Sequence, residues 1–260
     1  MIGVCSNVPG YRIATAELPL RARLTSSAAG AMVAIQGDRR WVQAARAALA
    51  SDAAGVIISD PGPFDVDDCA ELEDSAAGRP IIVDRPLLRA DVIESAVARM
   101  LPSYVAVDVA AAAGRRARTA REAVGWMRVL TGGRCEVLSV DRTASAGLML
   151  VQRTDAAVFG ALTATTITGA DEGAWIRALA VAETRVEVLV DEANARASVD
   201  VAAADGVLQL PRRFETHERL SLRRAIAALA SSDPVTDLAD LRADAAAAGL
   251  LRENHADKQH

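Results

Sequence analysis

Gly55-Val56-Ile57-Ile58-Ser59-Asp60-Pro61 and, after a helical stretch, Gly78-Arg79-Pro80-Ile81-Ile82-Val83-Asp84-Arg85-Pro86-Leu87 decide how this chain is read. Each is a short branched-apolar run without polar alternation, closed by a polar residue and a proline. Such strands are hydrophobic on both sides, as expected where helices cover both faces of a parallel sheet. Outward from them the same alternation continues. Strands are expected at 2–5, 32–36, 55–59, 80–83 and 104–109, with helices near 12–24, 40–50, 66–76 and 90–100.

Beyond residue 110 the pattern changes. A longer helix is expected over 112–130, closed by Thr131-Gly132-Gly133, where glycine can take the left-handed conformation that ends helices. Runs at 135–142, 147–153, 158–167, 175–181, 185–190 and 198–201, separated by short polar turns, read as an antiparallel sheet. Helices near 218–230 and 238–250 follow, the second preceded by Ser232-Asp233-Pro234. The expected class is α/β: an N-terminal Rossmann-type parallel sheet with helices on both faces, then a smaller α+β domain with a mainly antiparallel sheet. The expected domains are 1–109 and 110–252, with a polar tail over 253–260.

Composition narrows the function classes. With 260 residues, 51% of them hydrophobic, the chain can bury a sizeable core. Its apolar runs are alanine-diluted and fall short of the roughly 18 to 20 residues of a membrane span. Met1 leads at once into a strand, so no secretory signal is read and a cytoplasmic location is expected. Cys5, Cys69 and Cys135 are odd in number and lack CxxC spacing, as expected of reduced thiols. A net charge of −5 argues against nucleic acid, and acids flank most arginine clusters, such as Arg115-Arg116-Ala117-Arg118 and Arg212-Arg213. Lys258 is the only lysine, and histidine is confined to His217, His255 and His260. Abundant alanine and arginine beside a single lysine read as the codon bias of a GC-rich bacterial genome.

The order of several motifs carries a resemblance. Val56-Ile57-Ile58-Ser59-Asp60-Pro61 is similar to a strand ending in Ala-Thr-Pro, and the run from Gly78 to Leu87 to one ending in Glu-Lys-Pro-Leu. Leu130-Thr131-Gly132-Gly133-Arg134-Cys135-Glu136-Val137-Leu138-Ser139-Val140 resembles the turn and strand that open a second domain. Gly160-Ala161-Leu162-Thr163-Ala164 and the ending Ala227-Ala228-Leu229 through Asp233-Pro234-Val235-Thr236 also fit. Together they resemble the glucose-fructose oxidoreductase and inositol dehydrogenase (Gfo/Idh/MocA) family of NAD(P)-dependent enzymes, in a shortened and degenerate form. The resemblance implies NAD or NADP as cofactor, contacted by Ser6, Asn7, Gly10, Asp38, Ser59, Asp60, Pro61 and Pro86, with Asp84 and Arg85 at the catalytic position. It also implies pairing of subunits through the open face of the C-terminal sheet.

The departures from the family are specific. Its glycine fingerprint corresponds to Cys5-Ser6-Asn7-Val8-Pro9-Gly10, where only the third glycine survives and side chains project toward the phosphates. Asp38 stands where an acid would meet the ribose, although Gly37-Asp38 is equally an ordinary turn signal. The family's catalytic lysine is replaced by Arg85, whose guanidinium stays protonated and can hold an anion or polarise a carbonyl but not act as a base. Asp141-Arg142-Thr143-Ala144-Ser145-Ala146 runs straight into the next strand, without the segment that carries the family's substrate-facing aspartate and histidine.

Other chemistry is weaker. Asp65, Asp67, Asp68 and Cys69 could ligate a metal, but they stand at an expected helix start, where acids complement the dipole; no metal site is assigned. His217 is the one histidine in the body of the chain and reads as a surface residue at a helix N-terminus. Trp41, Trp126 and Trp175 read as packing residues. The runs from Gly55 and Arg79 are also similar to the sugar-binding domain of bacterial repressors, but that family's helix-turn-helix and second doubly wound lobe are not read here. Two functions remain open. One is a dehydrogenase scaffold without hydride transfer that binds a small molecule or completes a homo- or hetero-oligomer; the other is an NAD(P)-dependent oxidoreductase for a small polar, sugar-like or secondary-metabolite substrate.

Overall fold

A computed structural model describes residues 1–97, 102–168, 173–211, 214–231 and 233–251. The end of the helix expected to reach Met100, Arg212 and Arg213, Ser232, and the tail with His255, Lys258 and His260 lie outside the described residues. The chain divides into two compact units, Met1–Pro86 with Phe214–Ala243, and Leu87–Arg213 with Asp244–His260. Among the described residues no helix is long and apolar enough to cross a membrane.

The first unit holds five parallel strands, β1 (Ile2–Ser6), β2 (Ala22–Leu24), β3 (Ala31–Gln36), β4 (Gly55–Ser59) and β5 (Ile81–Asp84), in the order β2-β1-β3-β4-β5. Strand β1 runs into helix α1 (Pro9–Ala16), which starts on a proline whose missing N–H would be unpaired there in any case. The helix expected over 12–24 is therefore shifted and shortened. Pro19 cannot sit inside a helix, and beyond it β2, three residues long and too short to show a period, pairs with Ile2–Val4. Helices α2 (Trp41–Ala50) and α3 (Val66–Ala76) follow β3 and β4. Asp65 caps α3 by accepting the Asp67 N–H at 2.8 Å, the helix-start role expected of that acidic run.

Alternation along the strands builds two cores. Val4, Met32, Ala34, Ile57 and Ile82 face α1 and helix α6 (His217–Ala230), whereas Val56, Ile58, Ile81 and Val83 face α2 and α3. Leu238 and Leu241, on helix α7 (Asp237–Gly249), join the second of these cores. Helix α6 is held by its apolar face. Burying Leu222 is worth about 1.5–3 kcal/mol, more than exposed ion pairs such as Arg223–Glu215, at about 0–1 kcal/mol each.

The second unit contains α4 (Ala90–Val97), β6 (Tyr104–Ala112), a short 3-10 turn and α5 (Arg116–Thr131), closed as expected by Gly132 at φ +79°. Strands β7 (Cys135–Arg142), β8 (Ala146–Arg153), β9 (Phe159–Ile167), β10 (Trp175–Val181), β11 (Arg185–Asp191), β12 (Arg196–Ala203) and β13 (Gly206–Gln209) complete a sheet ordered β13-β12-β11-β10-β6-β9-β8-β7. It is antiparallel except where β6 runs parallel to β9. Val105, Val107, Leu162, Ile176 and Val188 pack with α5 residues Ala123, Trp126 and Met127. The fold is thus the expected pair of a Rossmann-type parallel sheet and a mainly antiparallel α+β unit.

The expected boundary at 109 does not coincide with the compact units. Tyr104 to Val109, expected in the first sheet, instead occupy the middle of the second, between β9 and β10. In the other direction, α6 lies far along the chain yet packs on the first sheet.

Candidate functional site at the strand ends of the first unit

Open α/β sheets bind ligands outside the carboxyl ends of their strands, at the point where strand order reverses. Here β2 lies on one side of β1 and β3, β4 and β5 on the other, so that point falls between β1 and β3. The carboxyl ends present Ser6-Asn7, Gly37-Asp38, Ser59-Asp60-Pro61 and Asp84-Arg85-Pro86. The residues expected to contact a cofactor thus share one crest, with Gly10 in the first turn of α1.

Several of them are already committed to the backbone. The Ser6 hydroxyl donates to Ala34 O at 3.1 Å and accepts the Val8 N–H at 3.0 Å. Pro9 has no N–H to offer. Gly37 donates to Ser59 O at 2.7 Å and Gly62 to Gly37 O at 2.6 Å, while Asp60, at φ +49°, donates to Asp84 O at 2.9 Å. These loops are pressed together: a Cβ on Gly37 would lie 2.5 Å from Ser59 O and closer still to Asp60 O.

Asp38 belongs to a different place from the one expected. In the 3-2-1-4-5-6 order, the second strand flanks β1 on the side away from the fourth. That neighbour is β2, followed by Thr25-Ser26-Ser27; Asp38 follows β3 on the opposite side. Its Oδ1 accepts the Arg40 N–H at 2.7 Å, which is the turn role.

Asp84 is the centre of the crest's polar chemistry. It shares a sheet face with Ile82, which turns it toward α1 and α6, and it is buried. Its Oδ2 receives the Tyr11 hydroxyl at 2.7 Å and His217 Nδ1 at 2.7 Å. A carboxylate only accepts, so His217 carries a proton on Nδ1. Burial first, and then the Asp84 charge, push the Tyr11 phenol well above its ordinary range, so it stays a donor. His217 is one-third exposed, and its Nε2 lies 3.5 Å from Glu218 Oε1. The Glu218 carboxylate in turn lies against Gly10: a Cβ there would overlap it, 2.7 Å from Cδ and 2.9 Å from Cγ. Arg85 is buried beside this cluster in sequence.

Tyr11, His217 and Glu218 were not among the expected site residues. His217 does stand at a helix N-terminus, as expected, but no local signal ties it to Asp84, 133 residues away. Among the described residues no group of three or more metal-ligating side chains is found, and Cys69 is buried in the core with Leu72.

No family model matches the chain, and no curated protein matches it by sequence. Solved structures do. UDP-N-acetylglucosamine 3-dehydrogenase GnnA from Acidithiobacillus ferrooxidans superposes with a TM-score of 0.66 at 15% identity, over 96% of both chains. An oxidoreductase from Sinorhizobium meliloti gives 0.71 at 10% identity, over 96% of this chain and 95% of that one. KijD10, a 3-ketoreductase from Actinomadura kijaniata solved with NADP and TDP-benzene, gives 0.62 at 13% identity, over 96% of both. These neighbours are Gfo/Idh/MocA-type oxidoreductases, and at such identities the likeness establishes the shared fold.

Proposed function

We propose that this chain uses the oxidoreductase fold without nicotinamide hydride transfer, and serves as a binding protein for a small polar molecule or as a partner subunit. One observation carries the reading. At the β1–α1 turn the Ser6 hydroxyl takes up the Val8 N–H and Pro9 supplies none, so neither position offers the backbone donor that a glycine-rich turn would turn toward a pyrophosphate. The residues present therefore do not fit a dinucleotide at its phosphate end. Asp84 and Tyr11 are buried and bonded to one another, and His217, one-third exposed and held by Asp84, is the polar group of this cluster that a small ligand at the strand ends can reach.

The test is a titration of the purified chain with NADH and NADPH, following melting temperature and fluorescence, beside a panel of sugars, sugar acids and polyols. A ligand at one hundred times its Kd raises stability by about 2.7 kcal/mol, so binding is readily seen. A shift with a member of the polar panel and none with either dinucleotide is expected. Micromolar binding of NADH or NADPH would overturn the reading.

A second reading, an NAD(P)-dependent oxidoreductase acting on a sugar-like or secondary-metabolite substrate, is favoured by two observations. KijD10 was solved with NADP, and His217 on Asp84 gives the strand ends a titratable group that Arg85 cannot provide.

The partner is proposed to be a second copy of this chain, or a relative, on the open face of the second sheet. Leu148, Leu150, Phe159 and Tyr104 project from the face opposite α5 and are all exposed. A two-fold pairing would bury this patch against itself. A cytoplasmic location is part of the same proposal.

A further inference from the structure

Strand β5 is an edge of the first sheet, and beside it lies a cavity of about 390 Å³. It sits where the two cores of the unit meet, floored by Ile81 and Leu238 from one and by Ala228 and Val235 from the other. Small-molecule sites have volumes of roughly 300 to 1,000 Å³. Every residue that lines it belongs to the same compact unit. It is reached at the end of α6 remote from His217, about 20 Å away along that 14-residue helix, and so is separate from the strand-end crest.

The polar groups around this apolar floor favour positive charge. Helix α6 ends at Ala230, and its C-cap Ser231 is extended, so no N–H among the described residues returns to the last carbonyls. Such carbonyls carry the negative end of the helix dipole. Ala228 and Ser231 both line the cavity, which places that end at its rim. Just beyond, Asp233 accepts the Ser231 hydroxyl at 2.8 Å and has no ion pair among the described residues. Glu73, on α3, is held by Arg242 at 3.1 Å. Arg79 also lines the cavity, but its guanidinium donates to Ala76 O at 2.9 Å, Leu49 O at 2.7 Å and Ser75 O at 3.2 Å, so its donors serve the carbonyl ends of α2 and α3.

We propose that this cavity is a site for a small organic cation, an ammonium or guanidinium on an apolar body. The charged head sits between Asp233 and the carbonyl end of α6, and the body covers Ile81, Val235 and Leu238. An anion would meet a carboxylate and a negative helix end together. A hard divalent ion takes about six or more oxygen ligands, whereas among the described residues no three metal-ligating side chains gather and the floor is hydrocarbon. An ammonium needs only a few acceptors, and its apolar remainder gains from the floor.

The test uses benzylamine, which is positively charged at neutral pH, beside benzyl alcohol and benzoate, which keep the ring and make the head neutral or negative. Each is titrated by calorimetry into the full chain and into D233N, D74N and A228L. D233N removes the charge at the rim, D74N removes an equal charge from an exposed acid of α3 outside the lining, and A228L fills the floor. The wild type and D74N are expected to bind benzylamine about tenfold more tightly than benzyl alcohol, as for one charge-assisted contact, with benzoate weaker still. D233N is expected to lose about fivefold for benzylamine and nothing for benzyl alcohol. A228L should lose all three ligands. The proposal is overturned if benzylamine does not bind at about 10 mM, a concentration that suffices for a matched fragment of this size. It is equally overturned if benzyl alcohol binds as tightly, or if folded D233N or folded A228L binds benzylamine as the wild type does. Equal weakening by D233N and D74N would also overturn it, because the net charge of the chain would then account for the binding. Should A228L not fold, the comparison of D233N with D74N decides.

Discussion

Asp84 and His217 are 133 residues apart in the chain and 2.7 Å apart in the fold, and the same Asp84 oxygen holds Tyr11. The arrangement joins the last strand of the first sheet to two helices from opposite ends of the sequence. Replacing Asp84 with asparagine keeps the size but removes the charge that both donors address. D84N is expected to lose about 1.5–3 kcal/mol of stability, the range for hydrogen bonds to charged groups. H217Q, at a partly exposed site, should lose about 1 kcal/mol, and the double variant less than the sum because both changes remove one contact. Urea unfolding of the three variants measures this; strict additivity would show that the contact contributes nothing.

The tight packing of the loops after β3 and β4 makes Gly37 a sensitive position. An alanine methyl would meet backbone oxygens of Ser59 and Asp60 that cannot swing aside. G37A is expected to cost about 1–3 kcal/mol as an overpacking change. At Gly114 nothing lies within 4 Å of the added carbon, and G114A should be near neutral. Equal melting temperatures for the two variants would refute the contrast.

Glu192 ties the start of α5 to the β11–β12 turn. Burial opposes its charge, but the Ala174 N–H and the guanidinium groups of Arg118 and Arg115 outweigh that and hold its pKa below the usual range. A carboxyl depressed in the folded state stabilises above its unfolded pKa of about 4.3 and ceases to do so as pH falls through the lower folded value. The wild type should therefore exceed E192Q in stability at neutral pH, with the gap closing on acidification below about pH 4.3. A gap that widens in acid would contradict the assignment.

If the open face of the second sheet receives another copy, charge placed on it should separate the copies. The double variant L148E/L150E is expected to sediment at about half the wild-type mass while keeping its circular dichroism, since both side chains are exposed on the face away from α5. A wild type that sediments at its 27.2 kDa chain mass at all concentrations would remove this surface from the proposal.

Much of the fold was legible in the sequence because its signals are local. Strands β1, β3, β4 and β5 are unbroken apolar runs, Gly132 ends α5, and Asp65 caps α3. The errors fell where long-range pairing overrides local pattern. Tyr104 to Val109 look like another strand of the first sheet, yet their partners are β9 and β10, which come 50 and more residues later. Asp38 follows an apolar strand, as a ribose-binding acid would. Only the strand order reveals that the short β2 has taken that strand's place beside β1.

The sequence alone determined the α/β class with its two sheets, the absence of lysine from the body of the chain, and a first turn without its usual glycines, since each is a property of residue identity or near neighbours. The tertiary structure alone decided that His217 answers Asp84 and that Glu218 faces Gly10. Those pairs form when the apolar face of α6 buries Leu222 and Ala225 on the first sheet, and burial of that kind is non-directional, so no spacing in the sequence announces which polar groups it will carry together.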